Sequence, residues 1–103
     1  SDDTAVKLFL NTTVASPKLK DALRKAVELR HRLHGTQTER AAVEKQLKDI
    51  TEEQVRLRAN LDKVPPTSAV YKRCLEKFDT QETEIEKFQA QIKQLQAKGK
   101  EEK

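Results

Sequence analysis

The sequence has few aromatic residues, a single cysteine and no long hydrophobic run. Aromatic residues make up 4% of the 103 residues and tryptophan is absent, so the chain has little material for a thick globular core. The one cysteine, Cys74, excludes a disulfide within the chain. The sequence contains no signal peptide and no apolar stretch long enough for a transmembrane helix, and we expect no membrane span.

Charged residues are abundant and are arranged around a regular apolar spacing. They make up 37% of the chain, a level typical of coiled coils. Eleven of fourteen positions spaced alternately by three and four residues are apolar, which places them along one seam of a long helix. These positions are Leu19, Ala22, Ala26, Leu29, Leu33, Thr36, Arg40, Val43, Leu47, Ile50, Gln54, Leu57, Leu61 and Val64.

A proline turn separates this helix from a second one. Pro65 and Pro66 lack backbone donors, and a proline disfavours helical backbone in the residue before it. The same spacing then resumes, and because the connection is short the helices should be antiparallel neighbours. The second seam consists of Tyr71, Cys74, Phe78, Gln81, Ile85, Phe88, Ile92 and Leu95. We therefore predict an all-α fold, a long antiparallel two-helix coiled-coil hairpin.

The ends of the helices can be predicted from their flanking residues. Ser16 and Pro17 are a favourable cap and first helical residue. Gly35 costs about 1 kcal/mol relative to alanine and could mark a new helix start, but the seam keeps its phase and favours a continuous or slightly bent helix. The predicted segments are helix 17–63, turn 64–67, helix 68–98 and a disordered tail 99–103.

Residues 1–16 differ in composition from the rest of the chain. From Thr4 to Val14 the sequence alternates loosely and is rich in β-branched and aromatic residues, which is a strand signal. We expect a short extended segment here. It is either the last strand of a sheet domain outside this sequence or a disordered arm.

Two glutamines are the only amides in the seams. With the helices paired across the turn, Gln54 lies opposite Gln81, where the side chains can form a hydrogen bond. A slipped pairing would place each amide against hydrocarbon at about 1–3 kcal/mol per unmet group. We predict that this pair fixes the register.

The first helix is longer than the second, so its N-terminal part has no partner in the hairpin. The apolar stripe is also wider there, which suits a broad surface. We predict an interaction surface for a second copy of the chain or an upstream β domain of a larger parent. It comprises Leu19, Ala22, Leu23, Ala26, Val27, Leu29 and Leu33.

Three segments around the turn, residues 49–61, 68–73 and 77–85, together resemble a known family. They are similar to the C-terminal region of bacterial mucoidy-inhibitor-A-like proteins, which carry a conserved domain of unknown function. The resemblance implies that a β-rich domain precedes the hairpin and that residues 6–14 are its last strand. It implies no catalytic residues.

The residues that could bind a metal or take part in catalysis are better explained as packed or solvent-exposed side chains. His31 and His34 have metal-ligand spacing, but Arg30 and Arg32 beside them would repel a cation. Cys74 lies on the seam and is interpreted as a packed, inert thiol. No paired carboxylates, nucleophile elbow or phosphate loop is present. We therefore expect no enzyme activity, no metal and no cofactor.

Positive charge is concentrated in the first helix. Six lysines and arginines stand against two acidic residues between positions 18 and 34. This basic face consists of Lys18, Lys20, Arg24, Lys25, Arg30 and Arg32. The favoured function is a structural, protein–protein interaction module. The alternative is a basic helix that binds nucleic acid or an acidic protein surface through residues 18–32.

Overall fold

The protein is a rod built mainly from two long antiparallel helices. The computed structural model describes residues 2–10 and 16–102. Within these residues there are three helices and no strand: α1 (Asp2–Leu10), α2 (Pro17–Leu61) and α3 (Ala69–Glu101). Helices α2 and α3 pack along each other, and the rod measures 78 × 22 × 14 Å. The predicted all-α helical hairpin is confirmed.

Serine side chains cap both long helices. The Ser16 hydroxyl accepts a hydrogen bond from the Leu19 amide at 3.1 Å, and Pro17 occupies the first turn of α2. Ser68 accepts from the Tyr71 amide at 3.1 Å and donates its own proton to the Pro65 carbonyl at 2.7 Å. Because Ser68 bonds both helix and turn, it fixes where the chain reverses.

The helix boundaries differ from the predicted ones mainly at the C-terminus. Helix α2 ends at Leu61 rather than residue 63, and it runs through Gly35 without a break. Helix α3 continues past Gly99 to Glu101, so the tail predicted for 99–103 is wrong over its described part, while residue 103 lies outside the described residues. The Glu102 carboxylate accepts a hydrogen bond from the Thr36 hydroxyl at 2.9 Å, which anchors the end of α3 to α2.

The N-terminal segment is helical where it is described, so the predicted strand-like arm is wrong for residues 2–10. Lys7 lies in the last turn of α1, where its positive charge suits the helix dipole. Short apolar runs do not distinguish strand from helix, and contact with α2 decides the outcome here. In the rest of the predicted arm, Ser16 is the extended N-cap residue of α2, and residues 1 and 11–15 lie outside the described residues.

The predicted seams are the least exposed part of the rod. Every seam position from Thr36 to Val64, and from Tyr71 to Leu95, is buried or half-buried. The deepest side chains are those of Thr36, Val43, Ile50 and Leu95, at 4–9% exposure. No described side chain is completely enclosed, because a pair of helices has no third layer to cover the seam.

Side-chain contacts place the helices close to the predicted register, but the predicted hydrogen bond between Gln54 and Gln81 does not form. Gln54 Nε2 donates to Glu82 Oε1 at 2.7 Å, and Gln81 Oε1 is buried with no hydrogen-bond partner among the described residues. A charged carboxylate is a stronger acceptor than an amide, which explains why Gln54 turns toward Glu82. Arg58 lies over the Phe78 ring, 5.5 Å from its centroid, in agreement with this register.

Candidate docking surface

Helix α1 packs against the N-terminal part of α2. Arg30 Nη1 donates to Asp3 Oδ1 at 2.9 Å, and Ala5 and Val6 line a groove with Leu19 and Leu23. This contact was not predicted, because the sequence pattern from Thr4 to Val14 favours a strand.

This contact covers part of the predicted interaction surface. Leu23, Val27, Leu29 and Leu33 are half-buried, and Leu23 lines the groove with Ala5 and Val6 of α1. Three seam residues of the predicted surface remain exposed, and we call them the open seam. They are Leu19, at 45% exposure, Ala22 and Ala26.

The open seam extends the α2–α3 seam beyond the level that α3 reaches. The two helices are tied together at Thr36 and Glu102, and the alternating spacing continues from there to Leu19. Alanine side chains let a second helix approach closely. The open seam therefore has the shape of an unfilled helix-packing site.

The basic face lies on the same part of α2 as the open seam. Five of its six side chains belong to exposed residues, and Lys20 is half-buried. Two of the cations are paired within the chain, Arg30 with Asp3 at 2.9 Å and Lys25 with Asp21 at 3.2 Å. Lys18, Lys25 and Arg32 recur at intervals of seven residues and so form one row beside the open seam.

An acidic stripe lies on the exposed side of α3. Asp79, Glu82 and Glu86 follow Leu75 at helical spacing, and all four residues are exposed, Leu75 by 47%. Residues at this spacing share one face of a helix. These residues were not predicted as a site, although their spacing in the sequence already places them on one helix face.

The side chains considered for metal or thiol chemistry do not assemble into a site within the described part of the chain. His31 and His34 line one groove with Asp3 and Arg30, and His31 Nε2 is 4.0 Å from Asp3 Oδ2. No group of three or more possible ligands that could hold a metal ion is found among the described residues. Cys74 is half-buried on the seam of α3, at the packing position predicted for it.

We expect the ion pair between Asp3 and Arg30 to make the docking of α1 dependent on pH. The hydrogen bond from Arg30, helped by the charges of Arg30, His31 and Lys7, holds the pKa of Asp3 below its ordinary value of 3.8. A lowered pKa in the folded state means that the carboxylate stabilises the docked form above its ordinary pKa. That stabilisation is lost as the pH falls through the lowered value.

We expect Asp3→Asn at neutral pH to loosen α1 while leaving the α2–α3 hairpin intact, because the variant removes the charge that acid would remove. Amide hydrogen exchange by NMR should show faster exchange in α1 and unchanged exchange around Ile50. The matched control is Asp21→Asn, which breaks only the exposed pair with Lys25. Slow exchange in α1 of the Asp3 variant, equal to the control, would contradict this role of Asp3.

Within the described residues, no helix combines the length and hydrophobicity needed to span a membrane. Comparison of the chain with protein-family models, curated proteins and solved structures finds no match. The function of the chain is therefore inferred from the geometry and charge of the hairpin.

Proposed function

We propose that this chain is a structural, protein–protein interaction module: a coiled-coil hairpin that projects from a larger parent protein and carries no catalysis of its own. The observation that carries the proposal is the open seam of Leu19, Ala22 and Ala26. It continues the packing surface of the hairpin and is still exposed after α1 and α3 have packed on α2.

The partner must offer a helical or flat surface. That surface must also carry groups that attract positive charge. The spacing of the open seam suits knobs-into-holes packing, and the row of Lys18, Lys25 and Arg32 beside it favours acidic groups on the partner. The two candidate partners are a second copy of the chain and an upstream β domain of a larger parent protein.

Hydroxyl-radical footprinting of the full-length parent protein tests the proposal. Leu19 and Val70 are exposed by 45% and 57% in the isolated chain, so without a partner both should be labelled strongly. We expect Leu19 to be protected several-fold more than Val70 in the folded parent, with each normalised to its labelling in urea. Equal protection of the two side chains would reject a docked open seam.

A second candidate function is binding of nucleic acid through residues 18–32, and the row of cations favours it. Binding to duplex DNA should weaken steeply with salt, with a log–log slope of about −0.9 per phosphate contact. Absence of retention on heparin at low salt would remove this candidate. Salt-dependent retention that is lost in Lys18→Glu, Arg32→Glu would support it.

A further inference from the structure

We propose that the open seam binds the open seam of a second copy, so that the two α2 helices pack antiparallel and the chain forms a two-fold dimer. This inference rests on the proposed function and names the partner as the chain itself. Three features of α2 and α3 carry it: the order of residues along the seam, the level at which α3 ends, and the position of the charges around the contact.

The seam residues of this stretch read the same in both directions. They follow one another at intervals of three, four and three residues, and they are Leu19, Ala22, Ala26 and Leu29. When two such helices pack antiparallel about a point level with Arg24, each leucine faces a leucine and each alanine faces an alanine. A two-fold interface must be complementary to itself, and this order of residues meets that requirement.

The contact would bury apolar side chains that the chain itself leaves in water. Leu19 is 45% exposed, Ala22 and Ala26 are exposed, and Leu29 is half-buried. The two central alanine layers let the helix backbones approach closely, and the two outer leucine layers supply most of the apolar surface removed from water. Leu23, which is half-buried at one edge of the seam, adds a further apolar side chain near the two-fold axis.

The end of α3 leaves room for the second copy. The Thr36–Glu102 hydrogen bond marks the level on α2 that α3 reaches. With Leu19 opposite Leu29 of the second copy, the first residue of the second α2 lies level with residue 31. That level is about 7 Å short of Thr36 along the helix axis. The second α2 therefore continues the line of α3 along the same seam, and α3 does not have to move.

The cations of this stretch lie beside the contact or behind it. Arg24, at the centre of the pairing, is on the side of α2 opposite to the seam. Lys18 and Lys25 are at one edge of the seam. At that edge Glu28 and Asp21 of the second copy come within two residues of the levels of these lysines. The contact therefore brings acidic groups to the row of cations and keeps charge out of its centre.

Sedimentation equilibrium of a variant with a charge in the seam tests the dimer. We expect the unmodified chain to dimerise at moderate salt, which screens the net positive charge of the two stretches. Ala26→Glu should weaken the dimer at least about tenfold, because it places a carboxylate between the two helices. The matched control, Ala42→Glu, introduces the same side chain at an exposed position of α2 outside the open seam and should dimerise normally. Circular dichroism verifies that both variants keep their helices.

Disulfide cross-linking reports the direction of the pairing. In a Cys74→Ala background, chains that carry Ala22→Cys are mixed with chains that carry Ala26→Cys and are oxidised mildly. Antiparallel pairing places the two new thiols of a mixed pair face to face, whereas two copies of the same variant hold them about 6 Å apart along the axis. We expect the mixed disulfide to form several-fold faster than either symmetric disulfide.

Three results would overturn the inference: an unmodified chain that stays monomeric at its highest soluble concentration, equal affinities of the Ala26→Glu variant and its control, or symmetric disulfides that form as fast as the mixed one. A monomer combined with protection of Leu19 in the parent would reject the dimer and keep the interaction module, with another domain as the partner. A dimer that survives Ala26→Glu unchanged would show that a different surface joins the copies.

Discussion

Replacing Ile50 by alanine should destabilise the hairpin by about 2–3 kcal/mol, toward the lower end of the cost of deleting buried aliphatic side chains. Ile50 is 8% exposed near the middle of α2, in the seam that faces α3. The lower end applies because a two-helix seam lets water reach part of the cavity. Thermal unfolding followed by circular dichroism measures the change.

The matched control for this substitution is Val55→Ala in the same helix. Val55 is 67% exposed, so its truncation removes little buried surface and should change the free energy of unfolding by less than about 0.5 kcal/mol. Similar losses in the two variants would mean that Ile50 does not pack against α3, and the register described above would have to be revised.

Replacing Gln81 by leucine should stabilise the hairpin by about 1–2 kcal/mol, since an unsatisfied buried polar atom costs about 1–3 kcal/mol. Gln81 Oε1 is buried in the α3 seam and has no hydrogen-bond partner among the described residues. Leucine removes that carbonyl and fills the position with apolar surface. The same unfolding measurement should give a higher midpoint.

Gln54→Leu is the matched control, because the same chemical change at the opposite seam position removes a formed hydrogen bond. Gln54 Nε2 donates to the Glu82 carboxylate at 2.7 Å, so the gain in apolar burial is offset by the lost bond. We expect a neutral or slightly destabilising effect. Equal stabilisation by both leucines would indicate that the hydrogen bond to Glu82 contributes nothing to stability.

The long helices and their turn could be predicted from the sequence because their signals are local. The alternating spacing from Leu19 to Val64 and from Tyr71 to Leu95 marks one face of each helix, and every position from Thr36 onward on that face is buried or half-buried. Ser16, Pro17 and Ser68 mark helix starts by hydrogen bonds and backbone geometry that lie within a few residues.

The part of the candidate docking surface that α1 covers could not be predicted, because it depends on contacts between distant parts of the chain. The sequence located the basic face and the alanines of the open seam, but not the helix that covers Leu23. A segment as short as residues 2–10 is marginal as an isolated helix. Its conformation is decided by the contact with α2 and the Asp3–Arg30 ion pair, which no local pattern records.

The sequence by itself determined the two amphipathic helices and their reversal at the prolines, because periodicity and caps act over a few residues. Only the tertiary structure decided that α1 packs on α2, that Glu82 rather than Gln81 receives the Gln54 amide, and that Glu102 holds α3 against Thr36. These outcomes depend on which of several side chains within reach offers the stronger contact. The competing side chains lie far apart in the sequence, so local sequence patterns do not show which contact forms.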